Sequence, residues 1–94
     1  MIIIEIGPRA ITARGHAADA VGCAAVSALL YAFAGGLENT DSESRWHIDS
    51  GEAAFSVADT PAAQAMRLLT EVGLRQLAAV RKDIRVTAPT VAEG

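Results

Sequence analysis

Hydrophobic and polar positions alternate at the start of the chain. Ile2, Ile4 and Ile6 fall on one side of an extended segment, with Ile3 and Glu5 on the other. That period predicts a strand, and the β-branched side chains suit it. Gly7-Pro8-Arg9 reads as a turn, and Ala10 to Arg14 as a second strand completing a hairpin. Gly15 to Ala18 follows as a loop. Asp19 is then placed to cap a helix running to about Ala34. This helix is apolar almost all round, with Val21, Val26, Leu29, Leu30 and Phe33 among alanines, the pattern of a helix buried on most faces. Gly35-Gly36 is the expected stop.

Leu37 to Ser44 carries Glu38, Asp41 and Glu43 and reads as a mobile acidic surface loop, suited to guiding a basic substrate. Alternation resumes at Trp46 and Ile48, with Asp49-Ser50-Gly51-Glu52 as a hairpin turn and Phe55 and Val57 on one face of a fourth strand. Thr60-Pro61 opens a second helix, Thr as the cap and Pro at the first helical position. Met66, Leu69, Val72 and Leu77 form its expected apolar stripe. Glu71 and Arg75 are an i,i+4 pair in the favoured order, and Gly73 weakens the helix middle. Asp83 to Ala88 gives a fifth strand, and the tail after Pro89 is expected to fray. The order β-β-α-β-β-α-β predicts an α+β fold, a largely antiparallel sheet with two helices packed on it.

Composition narrows the picture. The 94 residues fit a single domain spanning 1–94. Hydrophobic residues make up 51%, but much of that is alanine, with only one Trp, one Tyr and two Phe. So thin a core leads us to expect a homodimer. The net charge of −3, from 8 basic and 11 acidic residues without a basic run, argues against direct nucleic-acid binding. Met1 to Glu5 lacks a charged n-region and is too short for a signal peptide. Ala20 to Gly36 reads as too short and too small-sided for a membrane span. A lone cysteine excludes an intrachain disulfide and fits a reducing, cytoplasmic compartment.

That cysteine is also the centre of the candidate chemistry. Cys23 lies seven residues after His16 and in the first turn or so of the expected helix. There, unpaired N–H groups and the helix dipole favour a thiolate. His16 can take the thiol proton, and the same N–H groups can bind an oxyanion. Gly15 and Gly22 flank the pair and allow close backbone approach to a substrate. Asp19 either orients His16 or only caps the helix. Ser27, one turn after Cys23, either hydrogen-bonds near the thiol or packs. Spacing alone leaves two readings of Cys23 open, a nucleophile or an inert helix cysteine. His47 is expected to face solvent and Trp46 to serve a core or an interface. Zinc needs more ligands than these residues supply, so no metal and no cofactor are expected.

Gly15-His16-Ala17, a short loop, then Cys23-Ala24-Ala25-Val26-Ser27-Ala28-Leu29-Leu30 resembles the ribosomal-processing cysteine protease family, Prp. Its members carry a Gly-His-Ala motif and a Cys-Ala-x-x-Ser motif, and the resemblance extends along the whole chain. It implies a homodimeric α+β protease. It also implies His16 and Cys23 as the catalytic pair, and a substrate, the N-terminal extension of the large-subunit ribosomal protein numbered twenty-seven. Ser27 matches the family serine. Many members have a longer, glycine-rich loop between the two motifs. The short Asp19-Ala20-Val21-Gly22-Cys23 ending looks like a shorter-loop subgroup. Two other functions fit the same residues: a phage-type protease processing capsid or scaffold proteins, and a non-enzymatic ribosome-associated module of the same fold.

Overall fold

The computed structural model describes residues 1–40 and 43–89. Asp41 and Ser42 of the expected acidic loop, and the tail from residue 90 onward, lie outside them. The elements are β1 (Ile2–Gly7), β2 (Ala10–Gly15), α1 (Ala20–Thr40), β3 (Arg45–Asp49), β4 (Glu52–Ser56), α2 (Pro61–Val80) and β5 (Ile84–Thr87). The fold is α+β, in the order expected. The five strands form one sheet in the order β3-β4-β2-β1-β5. All neighbours are antiparallel except β1 and β5, which pair in parallel.

Alternation sets the buried face. Ile2, Ile4, Ile6, Ile11, Ala13, Ala53 and Phe55 are buried, while Thr12, Arg14, Ala54 and Ser56 between them are exposed. Both helices pack together over the apolar side, where Phe33 of α1 meets Phe55 of β4 with ring centroids 4.8 Å apart.

Three expectations need correction. The first is the end of α1. The helix does not stop at Gly35-Gly36 but runs on to Thr40, and Leu37 is fully buried. Each helical glycine costs about 1 kcal/mol relative to alanine, whereas burying a leucine contributes about 1.5–3 kcal/mol. A tertiary contact adds to this balance. A Cβ on Gly36 would come within 2.5 Å of Met66 Sδ, so the missing side chain makes room for α2. The start of the expected acidic loop is thus the last turn of a helix. Ser44, at the other end, is buried and accepts a hydrogen bond from the Ala58 amide.

The second correction concerns α2. Thr60 caps it as expected, accepting from the Ala63 amide, with Pro61 in the first turn. Its buried residues, however, are Ala63, Thr70 and Leu74, with Met66 and Leu77 partly buried. Leu69 and Val72 face outward, 73% and 44% exposed. Met66 and Leu77 thus keep the place expected of them, while Leu69 and Val72 do not, because Ala63, Thr70 and Leu74 fill the inner face. Gly73 belongs to that face too, since a Cβ there would meet both terminal methyls of Leu29 at 3.2 Å. Glu71 pairs with Arg75 as expected and also with Arg67, each at 2.9 Å.

The third correction concerns length. With its extra turn, α1 reaches 21 residues and is long and apolar enough to cross a membrane. It packs into the fold along one side, with Val26, Leu30, Phe33, Ala34 and Leu37 buried, while Val21 and Tyr31 are exposed, so the expected burial on most faces is not found.

Candidate active site

The site forms where β2 ends and α1 begins. Gly15 closes β2 with a φ of +102°, and a Cβ there would collide with the carbonyl oxygen of Met1. The Gly15 amide donates to the Gly51 carbonyl at 2.9 Å, tying this corner to the β3–β4 turn. His16 comes next. Its carbonyl accepts from the Met1 amino group at 2.7 Å, and its ring lies against Gly51. Gly51 has a φ of +77°, and a Cβ on it would sit 2.8 Å from His16 Nε2. Glycine is thus required there for both conformation and clearance.

The Ala17 amide donates to Cys23 Sγ at 3.3 Å. Cys23 is the fourth residue of α1, within reach of the partial positive charge at the helix start. The sulfur thus has a backbone donor on it and lies near the start of α1. The Ala18 amide donates to Asp83 Oδ2 at 2.8 Å. Asp19 Oδ1 accepts from the Gly22 amide at 2.9 Å and from Arg81 Nη2 at 2.8 Å. Its carboxylate therefore caps the helix and holds Arg81. The Arg81 guanidinium, and then the Ala18 amide, hold the Asp83 carboxyl well below the usual carboxylate range.

His16 and Cys23 line one cavity of about 80 Å³. Ile2, Ala13, Val26, Leu30, Ile48 and Ala53 give it apolar walls, and Arg14, Asp49 and Glu52 supply charge. Gly15 and Ser27 also line it. Gly22 does something other than admit substrate. It is buried, and a Cβ there would meet Ala17 Cβ at 2.6 Å and Arg81 Nη2 at 2.9 Å. It lets the His16 loop lie down on α1. His47 is exposed and lies 3.3 Å from Asp49, while Trp46 is half-buried against the core.

Several parts of this arrangement carry no sequence signal of their own. The donor aimed at the sulfur belongs to Ala17, in the loop, and a backbone amide has no residue-type signature. Gly51 was legible as a turn residue but not as the seat of the His16 ring. Arg81 and Asp83 look like ordinary charged residues between a helix and a strand. Only the fold brings them to the start of α1.

No family model and no curated protein matches the chain. Solved structures match it over nearly its whole length. The essential ribosomal processing protease Prp from S. aureus, solved with a covalently linked product peptide, aligns with a TM-score of 0.77. It is 21% identical, and the match covers 94% of this chain and 97% of that one. A hypothetical protein from Staphylococcus aureus aligns with a TM-score of 0.75 at 18% identity, over 95% of this chain and 100% of its own. A protein from Streptococcus mutans gives a TM-score of 0.66 at 18% identity, covering 94% and 93%. The likeness first read from Gly15-His16-Ala17 and Cys23-Ala24-Ala25-Val26-Ser27 thus extends to the architecture: the chain has the fold of the ribosomal processing protease Prp.

Proposed function

We propose that this protein is a ribosomal-processing cysteine endopeptidase, with Cys23 as nucleophile and His16 as general base. One observation carries the reading. The Cys23 sulfur, already accepting an amide hydrogen bond, shares a small apolar-walled cavity with the His16 imidazole. The fold around them is that of a protease solved with a covalently linked product peptide.

The chemistry follows from these groups. His16 takes the thiol proton, and the thiolate attacks the scissile carbonyl carbon to form a carbon–sulfur bond. As the tetrahedral intermediate collapses, His16 returns its proton to the departing amine and the carbon–nitrogen bond breaks. The acyl group is left as a thioester on Cys23. His16 then draws a proton from water, whose oxygen attacks the thioester. Collapse releases the carboxylic acid, and the proton returns to sulfur. The cavity walls suit an apolar side chain next to the scissile bond.

The substrate in this reading is the N-terminal extension of the large-subunit ribosomal protein numbered twenty-seven, and the enzyme acts in the cytoplasm as a homodimer. Leu68, Leu69 and Val72, exposed within about one turn of α2, support assembly, since neighbouring exposed apolar side chains mark interaction surfaces. The test is to incubate the purified protein with that ribosomal protein from the same organism and read the N-terminus by mass spectrometry. A single defined cut, absent with Cys23→Ala, is expected. An uncut substrate bearing an extension would overturn the assignment. Sedimentation at micromolar concentration is expected to show a dimer.

A further inference from the structure

Arg81 and Asp83 lie far from Cys23 in sequence, at the junction of α2 and β5, yet their side chains reach the loop that carries His16. Arg81 grips Asp83 in two-pronged fashion, Nε donating to Oδ1 at 3.0 Å and Nη2 to Oδ2 at 2.9 Å. The same Nη2 donates to Asp19 Oδ1, the oxygen that caps α1. Asp83 Oδ2 accepts the Ala18 amide, and the Asp83 carbonyl accepts the Ile2 amide at 2.8 Å. Gly22 leaves the space in which Arg81 and Ala17 sit.

We propose that Arg81 and Asp83 form a clasp that positions the loop from His16 to Asp19, keeping the Ala17 amide on the Cys23 sulfur and His16 beside it. They are positioning residues, lying outside the lining of the cavity that holds His16 and Cys23. The argument is geometric. The loop hydrogen-bonds to the clasp at Ala18 and Asp19 and to the sulfur at Ala17, so the residue whose amide reaches the sulfur is next in sequence to the anchored pair. A planar guanidinium holding two carboxylates fixes orientation as well as distance, which a lysine does not. If Ala18 and Asp19 are released, the Ala17 amide loses its aim. Misplacement by an ångström is enough to cost about 10²-fold in rate.

This inference rests on Cys23 as the nucleophile, and its test separates the two ideas. The rate of iodoacetamide alkylation of Cys23 is followed against pH in the intact protein, without substrate. The charged and titratable groups around the cavity, His16, Arg14, Asp49 and Glu52, stay in every variant. Arg81→Ala removes a positive charge and Asp83→Ala a negative one. A purely through-space effect on the thiolate would move the alkylation midpoint up in the first and down in the second. It would largely cancel in the double variant R81A/D83A. The clasp moves the midpoint upward in all three. In cleavage, kcat falls by about ten- to a hundredfold while KM holds. Asp83→Asn keeps an acceptor for the Ala18 amide and guards against loss of the fold, which thermal melting checks. It is expected to shift the midpoint in the same direction by less. Opposite shifts in the single variants, or an unmoved midpoint in the folded double variant, would overturn the clasp. Failure of the wild-type protein to cleave would overturn only the reading beneath it.

Discussion

The Ala17 amide nitrogen lies 3.3 Å from the Cys23 sulfur and donates to it. A neutral thiol is a weak acceptor, whereas a thiolate is a strong one. The contact ties the sulfur to the loop that carries His16.

Replacing the two residues of the proposed dyad should separate chemistry from folding. Cys23→Ala is expected to abolish cleavage with the fold intact, because the side chain is short and only half-buried. Cys23→Ser should be severely impaired, since a hydroxyl ionises far less readily than a thiol. His16→Ala should lower turnover by roughly 10²–10⁴-fold with substrate binding retained. Steady-state kinetics with circular dichroism on each variant gives the answer. Lost binding with normal turnover would assign His16 a structural role.

Gly51→Ala should injure the site through His16. The new Cβ would lie 2.8 Å from Nε2, in a residue held at a φ of +77°. The backbone alone should cost roughly 1–2 kcal/mol. The displaced ring should lower kcat more than that stability loss explains. Comparing kcat below the melting transition with denaturant midpoints separates the two effects.

Gly35 and Gly36 are neighbours in α1 with opposite expected outcomes. A Cβ on Gly35 meets nothing within 4 Å, so Gly35→Ala should stabilise the protein by up to about 1 kcal/mol. A Cβ on Gly36 meets Met66 Sδ at 2.5 Å, and overpacking there should cancel or reverse that gain. Urea unfolding of the two variants checks the ordering.

Acid should loosen the fold through two carboxylates. Asp83 is held below its ordinary value of 3.8, chiefly by Arg81, and Glu71 below 4.5, chiefly by Arg75 and then Arg67. A depressed folded-state value means the stabilisation is complete above the unfolded value and is lost as pH falls through the folded one. Melting temperature should therefore hold from neutral pH to about pH 5 and drop below about pH 4. Asp83→Asn and Glu71→Gln should each lower the plateau and flatten the acid limb. An unchanged limb in both variants would refute the assignment.

The strands and their order were legible because alternation at Ile2, Ile4 and Ile6, and again at Trp46 and Ile48, survives into the folded sheet. The cap at Thr60 was legible for a local reason too, as its hydroxyl bonds three residues away. The errors arose where distant residues decide. Gly36 signals a helix end until Met66 is seen beside it, and Leu69 signals a core until Thr70 takes the inward position. His16 and Cys23 could be paired from spacing and motif. Arg81 and Asp83 could not be added, because more than fifty residues separate them from the loop they hold.

The parallel pairing of β1 with β5 has a consequence in time. Synthesis makes β1 before and β5 after every other element, so β1 waits for one of its two partners while all that lies between them is built. Arg81 and Asp83 arrive with that late strand. A growing copy thus carries its thiol and imidazole long before it carries the groups that fix their loop. Under the proposed function, such an order delays competence until β5 has been made.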